Sequence, residues 1–333
     1  MSPEAFDELA RASSLESMLA MLRDSCFSEL ETTYGATGDL KQVELRLIEH
    51  EIGLYRELKR HVHPATVEFL DALLIRYEID NLKNAIRVFF DRIVRRRAID
   101  PRSEYILYQP IIHALPIDKI LYAESFDELV TLLAKTGYDA VLSEYVDQVK
   151  QDDSLFRMEI AFDHLYYARL RAAVDRLSSQ DRRIVHRLVG AEIDTENISW
   201  IVRLKTFYDI APELLEASII PGGTVVTASH AKELCQEKTV ATVLGNIIEQ
   251  HYADYSTLLT SQTSKSTSGL VLIGRILEEI RRQEIRHILA GDPFTIGIIL
   301  VYFLLKRREL SSLRRLLTAK RYGREPDAME SMI

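Results

Sequence analysis

Two stretches of the chain, 116 residues apart, carry the same polar signature, and this recurrence limits the possible folds more than any other feature. Asn81-Leu82-Lys83-Asn84-Ala85-Ile86-Arg87 and Asn197-Ile198-Ser199-Trp200-Ile201-Val202-Arg203 share the order Asn, aliphatic, three variable positions, aliphatic, Arg. Glu78-Ile79-Asp80 precedes the first copy directly. Glu192-Ile193-Asp194 precedes the second, with Thr195 and Glu196 as two extra residues. A degenerate third copy, Glu309-Leu310-Ser311-Ser312-Leu313-Arg314, follows after another 115 residues. The segments upstream recur too. Leu15-Glu16-Ser17-Met18-Leu19, leading to Tyr34, matches Phe126-Asp127-Glu128-Leu129-Val130, leading to Tyr138 and Tyr145. His230-Ala231-Lys232-Glu233-Leu234 is a looser third match. A period near 115 exceeds the roughly 20–50 residues of solenoid repeats. It predicts three successive multi-helix units, 1–118, 119–229 and 230–333, in an approximate threefold arrangement.

The units read as helical. Val67, Leu70, Leu73, Leu74 and Tyr77 fall three or four apart, as do Leu82, Ile86, Phe89 and Ile93, which puts one apolar stripe on each helix. Glycine (13) and proline (9) are scarce over 333 residues, and both weaken helix interiors. His63-Pro64 and Asp292-Pro293 place proline where a first turn tolerates it, with Asp292 as a candidate N-cap. Breaks are expected at Ile99-Asp100-Pro101-Arg102, Gln109-Pro110, Leu115-Pro116, Pro221-Gly222-Gly223 and Gly291-Asp292. Ser256 to Gly269 reads as an exposed loop. Thr224-Val225-Val226-Thr227 is the nearest approach to a strand pattern. Phe294 to Leu305 is the strongest apolar run. It falls short of the ~20 residues of a membrane span and reads as a buried helix. The first residues lack the basic start and apolar run of a signal peptide.

The remaining chemistry is sparse. A net charge of −8 argues against a general nucleic-acid binder. Cys26 and Cys235 read as buried, reduced thiols. Ser264-Lys265-Ser266-Thr267-Ser268-Gly269 lacks the leading glycine of a phosphate-cradling loop. His61 and His63 have no carboxylate or cysteine at ligand spacing. Asp152-Asp153 begins an aspartate-rich magnesium motif whose third position is Phe156, so it fails. Asp163-His164 lacks the second histidine pair of a helical phosphohydrolase. No cofactor or metal is expected.

Tyr77-Glu78-Ile79-Asp80-Asn81-Leu82-Lys83-Asn84 with Arg87 resembles the signature of the C/AC39-type subunit of bacterial and archaeal V/A-type rotary ATPases, whose eukaryotic counterpart is the vacuolar d-type subunit. Glu192-Ile193-Asp194 with Asn197, Ile198 and Arg203 is similar to that family's middle repeat, as is Ile219-Ile220-Pro221-Gly222-Gly223. Asp292-Pro293-Phe294, Lys306, Glu309, Leu313 and Lys320 through Gly323 resemble its C-terminal unit. Ser311-Ser312 departs from the Asp-Asn pair of the signature, and Gln109-Pro110 and Leu115-Pro116 stand where a Pro-Gly-Gly is absent after the first copy. The resemblance implies an all-α funnel of three similar domains. It implies a non-catalytic rotor subunit, one copy per complex, between central shaft subunits and the membrane ring of ion-carrying subunits, on the cytoplasmic face. Another helical scaffold or adaptor is the alternative.

The candidate partner-binding residues are Asp80, Asn81, Arg87, Asp194, Asn197, Arg203, Arg314 and Arg315. Asp80 and Asp194 read either as helix N-caps, with Arg87 and Arg203 paired to nearby acids, or as polar groups lining the inner wall of the funnel. Arg275 to Arg324 holds 12 Lys and Arg against 5 Asp and Glu. That surface is either solvated helix faces or a contact for an acidic partner or anionic lipid. Arg95-Arg96-Arg97 reads as a cation cluster at a helix end.

Overall fold

The computed structural model describes residues 1–97, 105–207, 212–223, 226, 279 and 281–323. Among them every regular element is a helix. The chain divides into two compact units, Arg23–Leu177 and Met1–Leu22 with Ser178–Ile333.

The first unit holds α3 (Ser28–Thr37), α4 (Leu40–Lys59), α5 (Pro64–Ile93), α6 (Ile117–Tyr122), α7 (Phe126–Leu132), α8 (Tyr138–Asp152) and α9 (Phe156–Val174). The two apolar stripes read between Val67 and Ile93 belong to one unbroken helix, α5. His63 caps its start: Nδ1 accepts the Ala65 N–H at 3.3 Å, and Pro64 occupies the first turn. Asp80 lies in mid-helix and is not an N-cap. Phe69, Leu70, Leu74, Leu82, Ala85 and Phe89 are buried, because α4, α6 and α9 all pack on this helix. Each large side chain so covered contributes roughly 1.5–3 kcal/mol. Phe89 meets Phe126 of α7 edge to face, centroids 5.0 Å apart. Beyond the C-cap Val94, Arg95 pairs with Asp91 at 3.1 Å and lies over the Phe90 ring, so the basic run does close the helix. The break at Ile99–Arg102 lies outside the described residues.

The second unit holds α1 (Pro3–Arg11), α2 (Leu15–Met21), α10 (Ser179–Phe207), α11 (Pro212–Ser218), α12 (281–289) and α13 (Ile296–Arg321). α13 packs on α10, α1 and α2. Gly297 lets α13 approach closely, since a Cβ there would come within 2.7 Å of Ile288 Cγ2. Asp292 caps a turn, taking the Phe294 N–H at 2.9 Å, rather than the helix. The donor at the head of α13, Ile296 N–H, is received by Asp181 of α10 at 2.9 Å. The Phe294–Leu305 run is helical from Ile296 and only partly buried. Phe294 precedes the helix and is 96% exposed, and Tyr302 and Leu305 also face solvent. No helix among the described residues is long and apolar enough to cross a membrane. Cys26 is exposed, contrary to the buried-thiol reading. Cys235, the Ser256–Gly269 loop with its Ser264–Gly269 fragment, and His230–Leu234 lie outside the described residues. Of Thr224–Thr227 only Val226 is described, and it is buried.

Candidate functional site

The recurring asparagines do the same work in both units. Asn81, on α5 and only 7% exposed, donates from Nδ2 to the Leu107 carbonyl at 2.8 Å. Its Oδ1 accepts the Leu107 N–H at 2.7 Å. Asn197, on α10 and 0% exposed, does the same to Ile220, at 2.9 and 2.8 Å. A primary amide presents donor and acceptor side by side, so it completes both polar groups of one extended residue. Each long helix thereby clamps the irregular segment that follows it, where buried backbone groups would otherwise lack partners.

The acid of each clamp stands one helical turn before the asparagine. Glu78 is buried and receives four donors or partners. Its Oε2 takes the Ile112 and His113 N–H groups at 2.8 and 2.6 Å. Its Oε1 meets His113 Nδ1 at 2.6 Å and the Tyr138 hydroxyl at 2.7 Å. Asp194, equally buried, takes the Val226 N–H at 2.8 Å. A Cβ on Gly223 would overlap Asp194 Oδ1, which is why Pro221-Gly222-Gly223 ends in glycine. Asp194 is therefore the counterpart of Glu78, not of Asp80, and like Asp80 it sits within a helix rather than at its cap. Thr195 and Glu196 are no insertion: α10 runs through them unbroken. In the third copy, Glu309 holds the same position before Ser312. It accepts from the Met1 amino group at 2.7 Å and from Lys306 at 2.8 Å. Burial opposes its ionisation, but those two hydrogen bonds hold its carboxyl below the usual range.

Glu78 shapes its surroundings. Burial of Tyr138, with the Glu78 charge beside it and the hydrogen bond between them, pushes the phenol well above the ordinary tyrosine range. Arg169, 4.9 Å from the ring centroid, opposes this only in part. A second polar seam joins α5 to α9: Lys83 pairs with Asp163, Arg87 Nε donates to Glu159 at 2.6 Å, and Arg76 donates to the Tyr167 hydroxyl at 3.2 Å. The Glu159 hydrogen bond raises the Arg87 guanidinium further. Burial pushes the Asp163 carboxyl up, with Lys83 opposing.

The candidate residues thus separate into two groups. Asn81, Asn197 and Asp194 are buried and spent on the chain's own backbone, and they do not face a partner. Asp80 and Arg87 are exposed on α5, and Arg314 on α13. Arg315 is half-buried and donates to Ser312 Oγ at 3.2 Å. The Arg203 side chain lies outside the described residues. Sequence reading placed Glu78 inside the signature but missed it as the working acid, although an acid three residues before the Asn or Ser recurs in all three copies. Among the described residues no group of three or more His, Cys, Asp or Glu is arranged to hold a metal. His61 lies 3.5 Å from Glu57 and His63 caps α5. Asp152 lies 3.7 Å from Arg157, and Asp153 lies 3.8 Å from Arg95.

The sequence family described as ATP synthase (C/AC39) subunit matches residues 1–332. Among curated proteins, the C-type subunit of the A-type ATP synthase of Methanosphaera stadtmanae is 23% identical over 96% of this chain and 80% of its own length. The corresponding subunit of Thermococcus onnurineus is 23% identical over 100% of the chain and 86% of its own length. That of Methanothermobacter thermautotrophicus is 24% identical over 85% and 72%.

Proposed function

Because the chain belongs to the ATP synthase C/AC39 subunit family, we propose that it is a non-catalytic subunit of the central rotor of a V/A-type rotary ATPase. It acts as a socket between the central shaft and the ion-carrying membrane ring, and it transmits torque for ATP-linked proton or sodium movement. The observation that carries this reading is the family match over essentially the whole chain, in register with the repeated signature. The two equivalent clamps support three related units, 1–118, 119–229 and 230–333, disposed about an approximate threefold axis as a funnel. One copy serves each complex, held at the cytoplasmic face of the membrane through the ring. Nucleotide sites and ion sites belong to other subunits.

Within this reading the clamps hold each unit's irregular segment rigid, and partners meet the exposed side chains. Asp80 and Arg87 serve one contact, Arg203 its counterpart in the middle unit, and Arg314 and Arg315 a basic contact in the last. The test is recovery of tagged protein from detergent-solubilised native membranes, followed by mass spectrometry. Shaft, catalytic and ring subunits should come with it. Recovery with unrelated partners would replace this reading with that of a helical scaffold.

A further inference from the structure

We infer that residues 1–22 are a detachable strap that completes the third repeat: they bind α13 as residues 112–133 bind α5. The two segments correspond position by position. Ser14 and Ser125 cap short helices of 7 residues, α2 and α7, each accepting the N–H three residues on, at 3.1 and 3.2 Å. Ala12 and Ala123 end the preceding helices, α1 and α6, with nearly the same backbone angles, φ −52° ψ 139° and φ −54° ψ 146°. Each donates its N–H to the carbonyl three residues back, Leu9 and Ile120. Leu9, Leu15, Met18 and Leu22 are buried in one strap, and Ile120, Phe126, Leu129 and Leu133 in the other.

The receiving helices match as well. Near the end of α5, Arg92 donates to the Leu121 and Ala123 carbonyls. Near the end of α13, Lys320 Nζ donates to the Ala10 and Ala12 carbonyls, both at 2.6 Å. These are the equivalent carbonyls of the two straps. At the other end, the Met1 nitrogen meets Glu309 as the Ile112 nitrogen meets Glu78.

One difference makes the first strap separable. Residues 112–133 follow their helix closely, with Arg92 and its acceptors 29 and 31 positions apart. Residues 1–22 bind a helix some 310 positions away, so contacts alone keep them there. The cation and a few buried side chains hold a short two-helix segment, and its release uncovers one face of α13 while α10 stays packed on the other. Local opening of such a unit is a separate equilibrium from global unfolding. The strap is a property of the chain itself and stands whether or not the rotor reading does.

Hydrogen exchange with mass spectrometry on the full-length protein tests it. Lys320→Met should speed exchange in residues 5–21 at least tenfold, as expected for lost charge-assisted hydrogen bonds, and leave 117–132 and the body of α10 unchanged. Lys320→Arg should restore protection, because Arg92 does this work on α5. Arg92→Met should show the reverse pattern. Met18→Ala, which thins the strap's own packing, provides a second route to the same release. Unchanged exchange in residues 5–21 in both Lys320→Met and Met18→Ala overturns the inference. So does acceleration that spreads through α10 and α13 in step, for then these residues are an inseparable part of the unit's core.

Discussion

Replacing Asn81 by alanine removes both hydrogen bonds that hold Leu107, and the cost follows from where Leu107 sits. Its backbone is buried, and the Asn81 amide supplies a partner to both its N–H and its carbonyl. Two buried groups left unpaired, at roughly 1.5 kcal/mol each, give about 3 kcal/mol. Asn84, one turn away on the same helix, provides the comparison. It donates to the Tyr105 carbonyl at 2.9 Å, but that site is exposed and water replaces the bond. Asn84→Ala should cost about 0.5 kcal/mol. The gain in helix propensity from Asn to Ala is common to both variants and cancels in the comparison. Urea denaturation reads the difference in stability. Native-state exchange of the Leu107 amide reads it locally, where about 3 kcal/mol corresponds to roughly a hundredfold faster opening. Equal costs for the two variants, or an unchanged Leu107 amide in Asn81→Ala, would refute the clamp.

Three further outcomes are expected. Gly223→Ala should lower the thermal midpoint, at a cost of about 1–3 kcal/mol, because the new methyl overlaps Asp194 Oδ1; an unchanged midpoint would mean that the turn relaxes freely. Glu309, with a carboxyl held below its ordinary range in the folded chain, contributes stability that is present above the unfolded value and lost as pH falls through the folded one. Acid titration of thermal stability should therefore show a loss in that window that Glu309→Gln lacks. Reversing Arg314 and Arg315 to glutamate should weaken assembly most at low salt, measured by co-purification across ionic strengths; equal recovery at every salt concentration would remove the basic-contact proposal.

The helical class was legible because α5 displays its period openly: Val67 through Ile93 repeat every three to four residues, and His63-Pro64 marks the start. The function of the asparagines was half legible. Their recurrence was plain, but what they grip is an extended segment 23–26 residues onward, with no pattern of its own. Matching Asp80 to Asp194 by identity required two extra residues within a helix. Such a step turns every later side chain by about 200°, at roughly 100° per residue, and would carry Asn197 off the face that Asn81 occupies. The ungapped match accepts Glu for Asp and preserves the face. Phe294 and Cys26 were misread for a different reason. Hydrophobicity says what tends to be covered, not which neighbour is there to cover it, and both residues lie outside helices at positions where nothing packs on them.

Tyr138 gives the molecule an optical signature of its own integrity. Its phenol keeps its proton in the folded chain far into alkali, because the carboxylate it donates to and the apolar walls around it both penalise a phenolate. Unfolding returns it to water and to an ordinary tyrosine pKa near 10. Above that value the unfolded chain releases a proton that the folded chain retains, so this residue makes the fold progressively less stable as pH rises. The ultraviolet absorbance of its phenolate would then appear in step with the loss of helical circular dichroism. The interior acid that fastens a backbone segment thus also makes one of the 15 tyrosines a built-in indicator of whether that segment is still fastened.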